Sequence, residues 1–549
     1  MILLRLVALA VLATLATTGR VFLTIALSIV TGWLFGYLAL KSKTFESAYV
    51  SISGVLESVP VISFFPVALI FFVRVIGGYL GVELAVDFLV FTAVVWNIWM
   101  GIYQAFKTIP LQMVEVVENL NYGFLSKMAK LYIPYSIPRI AANLLPSFAD
   151  AYFYITVSEV FSIGATSYQV FGIGSLLDQL TSRGLYNYVY ISLAILFAVI
   201  ASFVMILRRV AVWAVAKYGV ESPLTPRRRG PGRWRSVSRF YTITTSRLRL
   251  IRSVGGRVIA GPLYSTLPLR RVVERQVEVS ERTLNLALKA TGLALLALIV
   301  FGALHVIISV PMSMWRSLAS QTGSILLGLA YDYARVAVIT GISFIIAIFV
   351  GYYLATHRRA EAITVPLIQA FSAMPAPAYF PLLFAATYAF VARVSGPLTN
   401  EIYVVFLGFI STFYYIFYSY WLGVKAIPLE VIELMENLNM SFFAKLRKVI
   451  IPGTLPYIVT GLTSTIDSAW GGLMIGEYWP NIVGDRGLQV THGILKIIDV
   501  ATAEGNIALA AYASLIFGLI VVLFSLGFTR HLMEVSRRRY VIEESIFAA

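Results

Sequence analysis

Two stretches of this sequence are close copies of each other. Residues 110–140 read PLQMVEVVENLNYGFLSKMAKLYIPYSIPRI, and residues 428–458 read PLEVIELMENLNMSFFAKLRKVIIPGTLPYI. They align without gaps over 31 positions, of which fourteen are identical. Because self-similarity at a fixed separation indicates a repeated structural unit, the offset of 318 residues predicts an internal duplication.

The composition surrounding these copies is that of a membrane protein. Of 549 residues, 59% are hydrophobic and 13% are charged, against about 45–50% and about 25% in soluble domains. The mean hydropathy is +0.82, and the apolar residues form many blocks of about twenty, the length that crosses a bilayer as a helix. We therefore expect an all-α polytopic membrane protein. The absence of cysteine excludes disulfides and thiolate chemistry.

The positive charge is concentrated in one segment. Of the net charge of +16, the stretch from Arg208 to Arg282 carries +13, together with several prolines and glycines. Basic residues next to membrane spans mark the cytoplasmic side and attract anionic lipid. We expect a cytoplasmic linker that lies against membrane lipid, and no nucleic-acid partner.

Further matches extend the repeat upstream of the two copies. Arg20-Val21 and Arg335-Val336 each open an apolar run, and the proline pairs Pro60/Pro66 and Pro375/Pro381 have the same spacing. Hydropathy predicts five spans in the first half, over residues 20–40, 56–76, 86–105, 136–159 and 189–207. It predicts six in the second half, over residues 286–309, 334–355, 363–392, 401–421, 455–478 and 506–528.

The basic loops of both halves demand one common orientation. A five-span unit is odd, so two copies in direct succession would point in opposite directions. The extra span at 284–308 restores the orientation and makes the duplication parallel. The resulting domains are 1–210, the first unit; 211–283, the linker; 284–530, the second unit; and 531–549, a cytoplasmic tail.

This arrangement predicts about eleven spans, with the N-terminus outside and the C-terminus in the cytoplasm. Residues 1–18 leave three alternatives open: a signal-like segment, a twelfth span, or an outer lead-in to the first helix. The lead-in is favoured, because the equivalent stretch from Arg316 to Ala334 is amphipathic.

Each copy of the repeated stretch reads as a cytoplasmic loop with two short helices. Pro110 and Pro428 begin the first helix, a position that proline favours. Asn121 and Asn439 end it, where a left-handed residue is expected and Asn is the usual substitute for Gly. An amphipathic stretch follows, and Pro134 and Pro452 precede the next span.

This pattern resembles the EAA loop of binding-protein-dependent ABC importer permeases, the MetI-like superfamily. That loop has Glu-Ala-Ala, three residues, Gly, and a proline thirteen positions later. Glu115 to Asn121 to Pro134, and Glu433 to Asn439 to Pro452, keep the spacing. Val or Leu-Met replaces the alanines, and Asn replaces Gly in both copies. The resemblance covers nearly the whole chain except the linker and is closest to the nitrate, sulfonate and taurine branch, particularly its duplicated relatives.

The resemblance implies two tandem MetI-like units in the plasma membrane, working as the transport subunit of an importer rather than as an enzyme. It implies two cytoplasmic ABC ATPase subunits, an extracytoplasmic solute-binding protein, and a small anion such as nitrate, sulfonate or taurine as solute. ATP and Mg would bind the ATPase, because this chain has no GxxxxGK[ST] motif. The predicted ATPase-coupling residues are Glu115, Asn121, Phe124, Leu125, Pro134, Glu433, Asn439, Phe442, Phe443 and Pro452.

Other polar residues offer weaker candidates for a translocation path or outer gate. Glu159 and Glu477, again 318 residues apart, lie near the outer ends of spans, either beside the path or paired locally. Arg74 and Arg393 are candidate anion-attracting groups, with membrane-surface anchoring as the alternative. His492, Asp150 and Asp467 are isolated in the sequence, and we expect no metal site.

A secondary transporter or channel with a duplicated bundle is the main alternative function. Such proteins need no matched pair of cytoplasmic helices, and they place broken helices and ionisable groups at the midplane. A requirement for an ATPase distinguishes the two classes.

Overall fold

A computed structural model describes residues 2–64, 68–120, 122–163, 166–218, 311–483, 486–529 and 531–532. Residues 111–131 belong to one compact unit, and the described residues of 2–110, 132–217 and 312–532 belong to another. Residues 2–218 are called the first half below, and residues 311–532 the second half. Most of the predicted linker, the predicted extra span at 284–308 and most of the C-terminal tail lie outside the described residues.

The first half is a succession of long helices with one hairpin. Its elements are α1 Ile2–Lys41, α2 Lys43–Ser58, a 3-10 turn Val61–Phe64, a π-helical segment Leu69–Ile76, α3 Gly78–Lys107, α4 Leu111–Asn119, α5 Phe124–Lys127, a π-helical segment Met128–Tyr132, α6 Ile133–Ser158, β1 Val160–Ile163, β2 Thr166–Gln169, α7 Ile173–Ser182 and α8 Tyr186–Tyr218.

The second half repeats that order. Its elements are α9 Met312–Ser320, α10 Thr322–Ile346 with a π-helical segment Ala347–Gly351, α11 Tyr352–Thr356, α12 Arg358–Ser372, α13 Ala376–Ser395, a 3-10 turn Gly396–Leu398, α14 Thr399–Ala426, α15 Leu429–Asn437, α16 Phe442–Lys445, a π-helical segment Leu446–Ile450, α17 Ile451–Gly476, β3 Tyr478–Val483, β4 Arg486–Gln489, α18 Ile494–Ala503, α19 Ile507–Phe524 and a π-helical segment Ser525–Thr529.

Seven stretches of the described residues are long and apolar enough to span a membrane, so the predicted fold class, an all-α polytopic membrane protein, is confirmed. The count of eleven and the parallel duplication stay predictions. The seven stretches are Leu4–Lys41, Gly78–Lys107, Tyr186–Ala211, Met312–Thr356, Ala376–Ala426, Phe442–Gly476 and Ile507–Phe528.

Two predicted spans differ from the structure, and proline explains both. The span predicted at 56–76 is divided, because α2 ends at Ser58 just before Pro60. The span predicted at 363–392 is divided into α12 and α13 before Pro375. Proline disfavours a helical residue before it and supplies no N–H. Residues 2–18 continue into the first predicted span as a single helix, α1.

Small residues bring the long helices of the second half close together. A Cβ added to Gly472 on α17 would lie 2.6 Å from the Cα of Gly408 on α14. Such contacts between glycines are typical of helices packed within membranes. Nearby, Trp470 is fully buried, and its ring centroid lies 5.1 Å from that of Tyr333 and 5.0 Å from that of Phe517.

The two halves pack against each other within the larger unit. Helix α13 of the second half contacts α6 of the first, and α19 contacts α2. The hydroxyl of Tyr415 on α14 also donates a hydrogen bond to the carboxylate of Asp150 on α6. A space enclosed between the halves is therefore lined by residues from both.

Candidate functional site: coupling segments, buried arginines and a central cavity

The second copy of the repeated stretch forms two short helices joined by a left-handed residue. Helix α15 ends at Asn437, and Asn439 has a φ of 46°. The N–H of Asn439 bonds to the carbonyl of Glu436 at 2.9 Å, and that of Met440 bonds to Met435 at 3.2 Å. These bonds satisfy the last carbonyls of α15, which explains why Asn is accepted at the position expected for Gly.

The two aromatic residues of α16 are exposed to different degrees. Phe442 is 41% exposed and lies against two rings of its own half, with centroid distances of 6.4 Å to Phe349 and 5.6 Å to Tyr352. Phe443 is 72% exposed, and Leu438 in the preceding turn is 64% exposed. An apolar patch on the surface of a loop is typical of a site that binds another protein, and Glu433 is also exposed beside it.

The first copy has the same two helices, α4 and α5. Leu125 is 66% exposed and Phe124 is 42% exposed, while Val117 and Met128 are buried. Glu115 is exposed, and the ammonium group of Lys130 lies 4.0 Å from the ring centroid of Tyr122. Asn121 lies outside the described residues. Pro134 and Pro452 both lie in the first turn of the following long helix, α6 or α17, where proline is favoured.

A buried arginine of the first half joins α1 to three other elements. The Arg20 Nε lies 2.5 Å from Glu83 Oε1 on α3. Its Nη1 lies 3.3 Å from Glu159 Oε1 and 2.9 Å from the carbonyl oxygen of Phe171. Glu159 is fully buried and also accepts bonds from Thr17 Oγ1 and the N–H of Gly174, both at 2.6 Å. This set is called the Arg20 network.

The second half has a matching Arg335 network. Two bonds, of 2.7 and 2.8 Å, join the guanidinium to the carboxylate of Glu401. Its Nη1 lies 3.3 Å from Glu477 Oε1, and its Nη2 donates to the carbonyl of His492 at 2.7 Å. Glu477 in turn accepts a bond from the N–H of Lys496 at 3.0 Å. Asp332 adds a carboxylate, 2.5 Å from Arg335 Nη1, at the place of Thr17.

Both networks hold the start of a short helix. The N–H of Ile173, first in α7, donates to Thr17 at 2.9 Å, and that of Ile494, first in α18, donates to Asp332 at 2.8 Å. The first N–H groups of a helix have no partner within it and need such acceptors. A Cβ at Gly172 or Gly493 would lie 2.0 or 2.1 Å from the adjacent glutamate, so only glycine allows this approach.

The predicted gate residues are therefore placed as follows. Glu159 and Glu477 have the contacts of the locally paired alternative, and a role in gating stays a prediction. Arg393 is exposed near the end of α13. Arg74 lies in the π-helical segment Leu69–Ile76. Arg20 and Arg335 were noted in the sequence as the starts of matched apolar runs, but no role at the site was predicted for them. Glu83 and Glu401 were not singled out, although their offset of 318 was a readable signal.

A cavity of about 290 Å³ lies between the halves and is called the central cavity. Its ionisable lining residues other than tyrosine are three carboxylates, Glu57, Asp150 and Asp467. Asp150 and Asp467, isolated in the sequence, thus face the same space. The polar and aromatic lining includes Trp96, Asn97, Asn143, Phe153, Tyr154, Ser411, Tyr414, Tyr415, Ser464 and Ser468.

The central cavity lies at mid-height of the bundle. Most of its lining residues on α3, α6, α14 and α17 are near the middle of those helices, for example Trp96, Pro146, Tyr414 and Ser464. A second cavity, of about 430 Å³, lies beside the hairpins and is lined by Asp178 of α7 and Asp499 of α18. The central cavity is thus a polar space near the expected centre of the bilayer. At the end of the bundle where the hairpins lie, the Arg20 and Arg335 networks hold α7 and α18.

Comparison with known proteins gives the family of the second half. Residues 343–535 match the family model of the binding-protein-dependent transport system inner membrane component. The matched range includes α15, α16 and the second-half lining of the central cavity.

Several curated permeases are similar over part of the chain. The bicarbonate transport system permease protein CmpB of Synechococcus elongatus is 31% identical over 164 residues, which is 30% of this chain and 51% of that protein. The putative aliphatic sulfonates transport permease protein SsuC of Bacillus subtilis is 24% identical over 25% of this chain and 45% of its own length. The putative ABC transporter permease protein MJ0413 of Methanocaldococcus jannaschii is 27% identical over 159 residues, which is 29% of this chain and 56% of that protein.

The chain thus spans about half the length of the curated relatives that it matches. The relatives are named as permease proteins, which agrees with the membrane-length helices and with the loop pattern of residues 428–452. The C-terminal half of this chain therefore contains a permease domain of the binding-protein-dependent transport system family, within a multi-pass membrane protein.

Proposed function

We propose that this chain is the transmembrane subunit of an ATP-driven importer of a small solute, located in the plasma membrane. The observation that carries the proposal is the family match over residues 343–535 together with the geometry of α15 and α16 inside it. There, Asn439 makes the left-handed turn and Phe443 stands exposed beside it. A short helix with an apolar face is a typical ligand for a groove on another protein.

We call the helix pairs α4–α5 and α15–α16 the coupling segments. In this proposal each coupling segment binds one cytoplasmic ABC ATPase subunit, so that one chain binds two ATPase subunits. ATP and Mg bind to the ATPase subunits, and closure of these subunits moves both segments and alternates access to the central cavity. A solute-binding protein delivers the solute from outside. The N-terminus lies outside and the C-terminus in the cytoplasm, as the basic loops predict.

For the solute, the predicted class is a small anion such as nitrate, sulfonate or taurine. The names of two relatives, a bicarbonate permease and an aliphatic sulfonate permease, support this class for the family branch. A secondary transporter or channel is the alternative, and it would move its solute without an ATPase.

The test compares Phe443→Asp with the parent chain. A carboxylate at a position that is 72% exposed should not disturb folding but should prevent docking in an apolar groove, because a buried charge needs a partner. The measurements are co-purification of the co-expressed ABC ATPase and ATP-dependent uptake in proteoliposomes. We expect both to fall at least tenfold.

Phe443→Leu is the matched control, since it keeps an apolar side chain at the same exposed position. It should leave both measurements unchanged. Unchanged ATPase binding by the Phe443→Asp variant, or uptake that persists without any ATPase, would contradict the proposal and favour the secondary-transporter alternative.

A further inference from the structure

The central cavity has acidic side chains from both halves. Glu57 and Asp150 come from the first half, on α2 and α6, and Asp467 comes from α17. Among the described residues that line it, none is a lysine, an arginine or a histidine. Ionisable groups at mid-membrane depth are costly, so they are a sign of function when they face a cavity.

The carboxylate of Asp467 faces this cavity without a protein partner. The side chain is partly buried, and the residue lines the cavity. Within the described part of the chain, Asp467 makes no hydrogen bond and no ion pair. By contrast, the Asp150 carboxylate accepts a hydrogen bond from Tyr415. A partly buried carboxylate without a partner loses hydration that no protein group replaces, so a ligand that neutralises it would bind favourably.

We propose that the central cavity is a binding site for the ammonium group of the transported solute, held by Asp467, Glu57 and Asp150. This inference rests on the proposed function, because it describes what passes through the permease. The shared chemistry is an alkylammonium group, whether carried by an organic cation or by a zwitterion such as an aminosulfonate.

The rest of the lining suits such a group. Aromatic rings attract cations, and Tyr154, Tyr414 and Phe153 belong to the wall. The side-chain oxygens of Asn97, Ser464 and Ser468 are acceptors for N–H donors. The volume of about 290 Å³ is at the lower end of the range for small-molecule sites, which limits the solute to a small molecule.

The acidic lining of the central cavity favours some of the predicted solutes over others. Nitrate and simple alkyl sulfonates carry no positive group and would meet three carboxylates. Taurine, an aminoethanesulfonate, carries an ammonium group. The bicarbonate and sulfonate names belong to relatives that match only part of this chain, and the lining favours a solute with a cationic nitrogen.

The test measures equilibrium binding of radiolabelled ethanolamine to the full chain in lipid nanodiscs, without an ATPase. Unlabelled taurine and unlabelled isethionate are each tested as competitors. The two compounds differ only in that taurine carries an ammonium group where isethionate carries a hydroxyl group. We expect taurine to compete and isethionate to fail, and Asp467→Asn or Glu57→Gln to weaken ethanolamine binding at least tenfold. Asp499→Asn, which changes a carboxylate of the second cavity, should alter it less than twofold.

A pH series separates this site from its alternative. The titratable groups facing the site are Glu57, Asp150, Asp467, Tyr154, Tyr414 and Tyr415. An alkylamine of about the basicity of lysine, near pH 10, stays charged from pH 5 to 8. Ethanolamine binding should therefore strengthen as pH rises and carboxyl groups lose their protons. Binding of isethionate that strengthens as pH falls would show protonated carboxyls donating to an anion, and would overturn the proposal.

Absence of ethanolamine and taurine binding from a parent chain that is folded by size-exclusion chromatography would also overturn it. The two proposals fail separately. Ethanolamine binding that remains while no ATPase couples to uptake contradicts only the proposed function. ATP-driven uptake of an anion without ethanolamine binding contradicts only the ammonium site.

Discussion

The Arg20 and Arg335 networks join corresponding elements but differ in the carboxylates that are bonded to the arginine. In each, one guanidinium bonds to a carbonyl just before a glycine, and one buried glutamate accepts an N–H from the following short helix. Among the described residues, the Arg335 guanidinium bonds to a third carboxylate, Asp332, where the Arg20 network has Thr17. Asp87 also interacts electrostatically with Arg20. The neutral hydroxyl of Thr17 and the carboxylate of Asp332 occupy equivalent positions, and each accepts the first N–H of a short helix. We infer that both networks serve to hold the backbone of α7 and α18 rather than to balance charge.

The largest expected effect is removal of the arginines. Arg335→Ala removes the cation from three ion pairs and Arg20→Ala removes it from two. Breaking a buried ion pair from one side costs about 3–5 kcal/mol, and we expect Arg335→Ala to be the more damaging. Thermal unfolding in nanodiscs measures both, with Arg393→Ala, an exposed arginine, as the control. Equal losses of thermal stability for both variants would show that the Asp332 carboxylate does not increase the cost of removing Arg335.

The glycines test whether close approach is common to both networks. Gly172→Ala and Gly493→Ala each force a methyl group against a buried glutamate. Overpacking of this kind costs about 1–3 kcal/mol, and we expect similar losses in both halves. Gly341→Ala is the control, since a Cβ there has nothing within 4 Å. A tolerated Gly172→Ala would mean that Glu159 can move away, which Glu477 should then be able to do as well.

Exchanging the one residue that differs sharpens the comparison. Asp332→Thr recreates the first-half arrangement, and we expect the free energy of unfolding to change by less than about 1 kcal/mol, because Thr accepts the same helix N–H. Asp332→Ala leaves that N–H of Ile494 unpaired and should cost about 1–3 kcal/mol. If Asp332→Thr destabilises as much as Asp332→Ala, the carboxylate charge itself is required.

The smallest effect is expected at the opposite ends of the same helices. Lys107 Nζ lies 2.6 Å from Glu46, and Lys425 pairs in the same way with Glu361. The hydrogen bond from Lys107, with that from Tyr103, lowers the pKa of Glu46. A lowered pKa means that this pair stabilises the fold at neutral pH and that the contribution is lost on acidification through the pKa in the folded state. Glu46→Gln should cost about 0.5 kcal/mol at pH 7.

That difference in stability should shrink as the pH falls through the lowered pKa of Glu46 in the folded state and vanish below it, where both forms are neutral at this position. Thermal unfolding over a pH series that starts at pH 7 and extends below the ordinary pKa of a glutamate, about 4.3, checks it. A difference between Glu46→Gln and the parent that persists at acid pH would show that the side chain acts by packing rather than by charge.

The coupling segments were the part of the candidate site that could be predicted from sequence. Asparagine at the end of a helix is a local backbone preference, so the left-handed turn at Asn439 could be predicted from its position alone. Pro452 was predicted to precede the next span, whereas it lies in the first turn of α17, a position that proline favours. The roles assigned to Phe442 and Phe443 were equal in the sequence, whereas one packs on Tyr352 and the other is exposed. The local sequence pattern does not determine which face of a short helix packs against the other helices of its own half.

By itself, the sequence determined the membrane class and the left-handed turn at Asn439, because hydropathy and backbone preferences act over a few neighbouring residues. Only the tertiary structure decided that Asp150 and Asp467, 317 positions apart, face one cavity, and that Glu159 and Glu477 are each paired with an arginine more than a hundred residues away. Such contacts depend on how helices pack, and no local pattern encodes the distance between side chains on different helices.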